Sequence, residues 1–216
     1  MSAAIHVSSN EGVHVNNAQR ADVDIRPWSE ADFPLLERLM GDPAMTLHIG
    51  GPETPAKIRE RHERYCRIGS SGTGRVFAIV VGPDKRSAGW IGYWEKEWRG
   101  RYIWETGWSV LPEFQGQGIA TKATMDMIEL VRAEKKHRYL HAFPVPDNGP
   151  SNAICRKAGF TFLGEVEFEY PPGNFDRSND WCMDLFGDAL EKEGDDKLAE
   201  EAARPAGVTT AHSTSD

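Results

Sequence analysis

Cysteine is scarce in this chain of 216 residues: Cys66, Cys155 and Cys182 are all there is, an odd number, widely spaced and without a CxxC pair. That argues against a disulfide framework and against a cysteine zinc site, and fits a reducing compartment. Long apolar runs are missing too. The first twenty residues, MSAAIHVSSNEGVHVNNAQR, hold no signal-peptide core, and no later stretch approaches the roughly 20 apolar residues that cross a bilayer. Neither export nor membrane insertion is expected, and a cytoplasmic setting is. Positive charge is in deficit, with 25 Lys and Arg against 33 Asp and Glu, a net charge of -8 and a pI near 5.4. Such a balance repels a phosphate backbone, so no nucleic-acid partner is expected.

What is present is the make-up of a water-soluble globular protein, 39% hydrophobic, 27% charged and 10% aromatic, at a length that suits one domain with tails. Residues 1–22 are rich in Ser, Asn and Ala without helical or strand period. Residues 191–216 are acidic and then rich in Thr and Ser. Both ends read as disordered tails around a domain at residues 23–190.

Within the domain, Val23, Ile25 and Trp28 predict a strand, and Ser29 caps a helix expected from Glu30 to Met40. A second helix is expected from Pro55 to Ile68, followed by strands at Val76–Val81, Ala88–Trp94 and Tyr102–Val110, the last two forming a hairpin around Arg99 and Gly100. Ile119, Ala123, Met127 and Val131 recur every four residues and predict an amphipathic helix over Gly116–Lys136. A short strand at Tyr139–Phe143, a short helix at Ser151–Ala158 and strands at Phe160–Tyr170 and Trp181–Phe186 complete a mixed α/β, or α+β, pattern.

The segment Val110-Leu111-Pro112-Glu113-Phe114-Gln115-Gly116-Gln117-Gly118-Ile119-Ala120-Thr121 ends a strand, turns at a proline and opens a helix through small residues. The first N–H groups of a helix lack intrahelical partners and carry partial positive charge, so backbone donors can hold a diphosphate where no side chain intervenes. Gly116, Gly118 and Ala120 keep that approach clear. A Walker loop fails here because no Lys-Ser/Thr pair follows the last glycine, and the dinucleotide fingerprint fails because its sixth position, counted from Gly116, is Thr121.

Gln115-x-x-Gly118-x-Ala120 after a strand ending in Val110 resembles the acetyl-CoA motif of the GNAT N-acetyltransferase superfamily. Asn148-Gly-Pro-Ser151-Asn152-Ala-Ile-Cys155-Arg-Lys157-Ala-Gly159-Phe160 is similar to the later motif of the same family, and Glu105 to Gly116 resembles the branch that acetylates ribosomal-protein N-termini and small amines. The resemblance implies a GNAT fold, a twisted, mostly antiparallel sheet splayed between its fourth and fifth strands and flanked by helices. It implies acetyl-CoA as co-substrate, no metal, and a primary amine of a small molecule or a peptide N-terminus as acceptor; a homodimer is a common family arrangement. Cofactor contacts carry over to Val110, whose backbone N–H at a strand bulge would meet the thioester oxygen, to Gln115, Gly116, Gln117, Gly118, Ile119, Ala120 and Thr121, and to Asn148 and Ser151. Asn148 and Ser151 also suit turn and helix-capping roles.

Acetyl transfer to an amine needs a base, a stabilised carbonyl oxygen and a proton for the departing thiolate. Strand alternation puts Ile103, Glu105, Gly107 and Ser109 on one face, which makes Glu105 the candidate base, with room for a substrate expected beside Gly107. A surface carboxylate that solvates the strand or binds a cation is its alternative. Many family members carry a Tyr four residues before the glycine of the Gly-Phe pair; that position is Cys155 here, so the acid falls to Cys155, Ser151 or water. Lys122, Arg156 and Lys157 are candidates for the 3′-phosphate of CoA. Five of the seven tryptophans crowd one hairpin, a core signal that also suggests an aromatic acceptor pocket, shared with Met45–Pro55 and Pro171–Asp180. His137 and His141 are four apart, but Arg138 stands where a zinc-protease glutamate would be. The reading is a direct N-acetyltransferase, with a non-catalytic acyl-CoA-binding module as the alternative that the missing Tyr suggests.

Overall fold

The computed structural model describes residues 22–187. Apart from Asp22, the tails expected at residues 1–22 and 191–216 lie outside the described residues, as do residues 188–190.

Seven strands form one mixed sheet in the order β1-β2-β3-β4-β5-β7-β6. They are β1 (Val23–Pro27), β2 (Gly74–Val81), β3 (Arg86–Trp98), β4 (Arg101–Val110), β5 (Tyr139–Ala142), β6 (Thr161–Glu169) and β7 (Phe175–Asp184). The helices are α1 (Phe33–Met40), α2 (Pro55–Ser71), α3 (Ile119–Glu134) and α4 (Gly149–Ala158). All strand pairs are antiparallel except β4 with β5, which is parallel. Parallel neighbours need a crossover, and α3 supplies it.

That parallel ladder is short. It joins Trp104 to Leu140 and Glu105 to His141 and nothing beyond. From Thr106 to Val110, β4 therefore keeps its pairing with β3 on one edge while its other edge has no β5 partner, and a V opens whose apex is the Glu105–His141 pair.

Alternation assigns the helices to faces. On β3, Trp90 points to one face and packs on Tyr65 of α2 at 5.2 Å, whereas Tyr93 points to the other and donates its hydroxyl to Glu134 of α3. The core is sealed by Leu36, Leu39, Met40, Ile79, Ile91, Tyr93, Trp104, Met127 and Leu140, all with almost no solvent contact. Each such side chain contributes on the order of 1.5–3 kcal/mol by leaving water.

Several boundaries differ from expectation for local reasons. The helix expected from Gly116 starts at Ile119, because Gly116 and Gly118 take φ of 72° and 78°, a left-handed backbone that no helix accepts. Lys135, at φ 51°, ends it a residue before Lys136. The helix expected at Glu30 begins as a 3-10 turn over Glu30–Asp32 and becomes α-helical at Phe33, with Pro34 in its first turn. β3 runs on from Trp94 to Trp98, and β7 starts at Phe175, so most of the expected acceptor loop at Pro171–Asp180 is strand.

Candidate active site

The turn after β4 is open at its backbone. Pro112–Phe114 form a single 3-10 turn, and Gly118 caps α3, whose first intrahelical bond runs from Lys122 N–H to the Gly118 carbonyl at 3.0 Å. No acceptor among the described residues takes the N–H groups of Gly116 through Thr121. A Cβ built on Gly116 or Gly118 would meet nothing within 4 Å, so the space beside these two glycines is open. Successive amides without protein acceptors at a helix N-terminus suit an anion such as a diphosphate. Gln115 and Gln117 turn their side chains inward: Gln115 Nε2 donates to the Val110 carbonyl at 2.8 Å, and Gln117 Nε2 to the Glu113 carbonyl at 3.0 Å. These two shape the loop with their side chains.

The bulge expected at Val110 is absent. β3 and β4 pair without a register shift from Trp98–Arg101 to Gly89–Val110. The Leu111 N–H donates to the Ala88 carbonyl at 2.8 Å, which makes Gly89–Val110 a non-hydrogen-bonded pair. Val110 therefore turns its own N–H and C=O away from β3, onto the edge that β5 has left. Splay, rather than a bulge, frees the donor.

The second group of candidates sits at the apex of the V. Glu105 is largely enclosed, 3.4 Å from Lys96 Nζ, and receives the Trp94 indole N–H. Burial pushes its carboxyl above the ordinary range, against the opposing pull of Lys96, the Trp94 N–H and the neighbouring His141. The space expected above Gly107 is filled: a Cβ there would lie 3.1 Å from the Trp94 ring and 3.6 Å from the Trp90 ring. Beyond Lys96, on the β5 side, stand the rings of Phe143, Phe168 and Trp98. Phe143 and Phe168 stack at 4.2 Å, Trp98 meets Phe143 at 4.9 Å, and Lys96 Nζ lies 4.3 Å over the Phe168 ring. The loop before α2 meets the loop between β6 and β7. Gly50 abuts Pro171, and Arg61, itself bound to Glu53, donates to the hydroxyls of Tyr65 at 3.2 Å and Tyr170 at 3.1 Å.

The residues of the later motif divide. Asn148 caps α4, accepting the Ser151 N–H at 3.1 Å, so the capping role is occupied. Ser151 is half-buried. Cys155 has no solvent contact and packs within the hydrophobic core, where burial pushes its thiol up to about 12. A thiol so placed is poorly situated to meet a departing thiolate, which weighs against Cys155 as the acid. Among the candidates for the 3′-phosphate, Lys122 pairs with Asp126, Arg156 lies 5.8 Å over the Trp181 ring, and Lys157 is exposed. Arg86, which the sequence did not single out, lies over Phe114 at 5.3 Å and shares a surface hollow with Gln117 and Ile119.

His137 and His141 do not converge. His137 reaches Glu95 at 2.7 Å and His141 reaches Asp180 at 2.6 Å. Glu30, His62 and Cys66 do cluster, but His62 Nδ1 accepts the Trp28 indole N–H at 3.2 Å, which leaves the proton on Nε2, facing Glu30 at 3.1 Å. A metal-ligating histidine donates from its second nitrogen, and this one accepts. The donor set does not fit a metal.

A family model for the acetyltransferase (GNAT) domain matches residues 22–161. The chain belongs to the GNAT acetyltransferases. Similar solved structures agree on the fold. A GNAT acetyltransferase from Bacillus anthracis superposes with TM-score 0.62 at 19% identity, covering 76% of this chain and 95% of its own. A Salmonella typhimurium acetyltransferase that modifies the N-terminal serine of ribosomal protein L7/L12 gives 0.63 at 19%, covering 75% and 94%. Spermidine N-acetyltransferase from Vibrio cholerae, bound to CoA and spermine, gives 0.62 at 14%, covering 76% and 96%. No curated protein sequence matches the chain. Among the described residues no helix is long and apolar enough to cross a membrane.

Proposed function

We propose that this GNAT protein transfers the acetyl group of acetyl-CoA directly to a primary amine that reaches the V as an ammonium ion. The observation that carries the reading is the pairing of two features across one cleft. A run of amides without protein acceptors stands at Gly116–Thr121, and an enclosed carboxylate stands where β4 and β5 part. The first suits a diphosphate, the second a cation.

The co-substrate supplies an acetyl group already activated as a thioester. The protein supplies the rest. The amides after β4 anchor the diphosphate, so that the thioester end points along the open edge of β4. Val110 N–H, turned onto that edge, would donate to the carbonyl oxygen as negative charge gathers there, an interaction worth about 3 kcal/mol in comparable sites. Glu105 draws the ammonium by charge and takes its proton, which frees the nitrogen lone pair. Its raised affinity for a proton suits it to that exchange, because a proton acceptor works best when its pKa approaches the working pH. Ser151 or a water, with Cys155 sealed in the core, would protonate the departing thiolate.

Spermidine and an N-terminal serine, acted on by two of the structural neighbours, are both primary amines. Acetyl-CoA with a panel of polyamines, aminoglycosides, amino acids and N-terminal peptides tests the reading. Release of CoA above the rate with water, for at least one amine, is the expected outcome. Tight acetyl-CoA binding with no amine-dependent release would favour a non-catalytic acyl-CoA module instead.

A further inference from the structure

His141 and Asp180 form a polar pair that the proposed chemistry has not used, one strand over from Glu105. His141 is the β5 partner of Glu105 in the last rung before the strands part. Asp180 comes from β7, two residues before Cys182, the β7 partner of His141, so alternation puts both side chains on the face that carries Glu105. Asp180 is only 1% exposed, and among the described residues no Lys or Arg reaches it. Its partners are His141 Nδ1 at 2.6 Å and the Trp98 indole N–H at 3.4 Å. A buried carboxylate is costly unless it accepts hydrogen bonds or meets a positive charge, so the Nδ1 hydrogen belongs on the Asp180 side. The lone pair is then on Nε2. That atom has no hydrogen-bond partner among the described residues, and the sealed, unpartnered side-chain nitrogens are those of Trp90 and Trp104, so Nε2 keeps solvent contact.

We propose that His141, held by Asp180, is a proton relay for Glu105 in the acetylation of a protonated primary amine. The inference rests on the proposed reading of Glu105 as the group that meets the ammonium. In the first transfer the N–H bond of the ammonium breaks and an O–H bond forms on Glu105, leaving a neutral amine and a carboxylic acid. In the second, His141 Nε2 and Glu105 are not in hydrogen-bond contact, so one water bridges them: the Glu105 O–H breaks as the water takes that proton and gives one of its own to Nε2, regenerating the carboxylate and the water and leaving an imidazolium against Asp180. The imidazolium then releases its proton to water through the mouth of the V. Charge is conserved at each step, and no further reactant is required. The arrangement of carboxylate, imidazole Nδ1–H and free Nε2 is the one that lets a histidine accept a proton without turning its ring.

The groups that face His141 all bear on its behaviour. The charged ones are Glu105 of β4, Asp180 of β7 and Lys96 of β3, itself bound to Glu105. Cys182 of β7, whose thiol burial and the nearby Asp180 and Asp184 push up to about 12, stays neutral, and Tyr139 lies two residues away on the same strand, its ring 6.5 Å from that of His141.

The test is the pH dependence of kcat/KM for the acceptor, at saturating acetyl-CoA, in the wild type, His141→Gln and Asp180→Asn. A relay predicts that His141→Gln loses about tenfold or more at the acid end and recovers as the amine sheds its own proton at high pH, while the thermal shift given by CoA stays put. Asp180→Asn keeps the imidazole and moves the acid limb to lower pH, and it serves if His141→Gln does not fold. A profile parallel to the wild type in both variants overturns the relay, as does a change confined to KM. The ring-proton NMR signal of His141 decides independently of turnover: its titration midpoint falls in Glu105→Gln if the two groups share a proton path. An unmoved midpoint overturns the proposal, whereas an enzyme that acetylates no amine but shows the coupling would refute only the proposed reaction.

Discussion

The two ends of the cleft are made of different material. At the turn after β4 the proposed working groups are backbone amides without protein acceptors, and the glycines there would serve by what they do not cover. At the apex the proposed working groups are side chains from three strands, enclosed and held by Lys96, Trp94 and Trp98. A backbone site tolerates changes of side-chain chemistry as long as φ and access are kept, and fails by bulk. A side-chain site fails by the loss of one atom. The two should therefore be separable by mutation, each leaving the other intact.

The largest expected effect is on the backbone site. Gly118→Trp puts a bulky group over the amides at a residue with φ 78°, and loss of the CoA-dependent thermal shift, equivalent to about 100-fold or more in affinity, is predicted. The strain of a left-handed non-glycine costs only about 1–2 kcal/mol, so the fold survives, and the far-ultraviolet spectrum checks it. Retained affinity would break the comparison. At the apex the expected loss is of rate rather than affinity. Glu105→Gln should cut kcat/KM by about 10–100-fold, most at low pH where the amine stays protonated, with CoA affinity as in the wild type. A parallel loss of CoA binding would show that the two ends are not independent. A smaller effect is predicted for Cys155→Ala, which removes one sulfur from the core: about 1 kcal/mol of stability by denaturant titration, with turnover and its alkaline limb unchanged. A shifted alkaline limb would restore Cys155 as the acid.

Legibility in the sequence followed the same division. The helix after β4 and its entry are legible because their elements are contiguous: the four-residue recurrence of Ile119, Ala123, Met127 and Val131 marks the helix, and Gly116 and Gly118 mark its entry. Even there, the helix was placed three residues early, since periodicity does not register a positive φ. Asn148 as a cap and Glu105 on the Gly107 face were also legible from local pattern. The remainder of the apex was not. Glu105, His141 and Asp180 stand far apart in the chain, and only the strand order and the parallel register bring them together. Nothing at Val110 or Leu111 signals that the splay alone would free an N–H, or at Gly107 that Trp94 swings over it. Arg86 is one arginine among many until the fold sets it beside Gln117.

The central claim is that the amides of Gly116–Thr121 bind a diphosphate and so aim the thioester at the V. Backbone NMR of the labelled protein, titrated with CoA and in parallel with pantetheine, which has no diphosphate, tests it most directly. The account predicts that the amide signals of Gly116 through Thr121 move together with CoA and stay in place with pantetheine. CoA that binds while those six signals remain still, or pantetheine that moves them as far as CoA does, would contradict it.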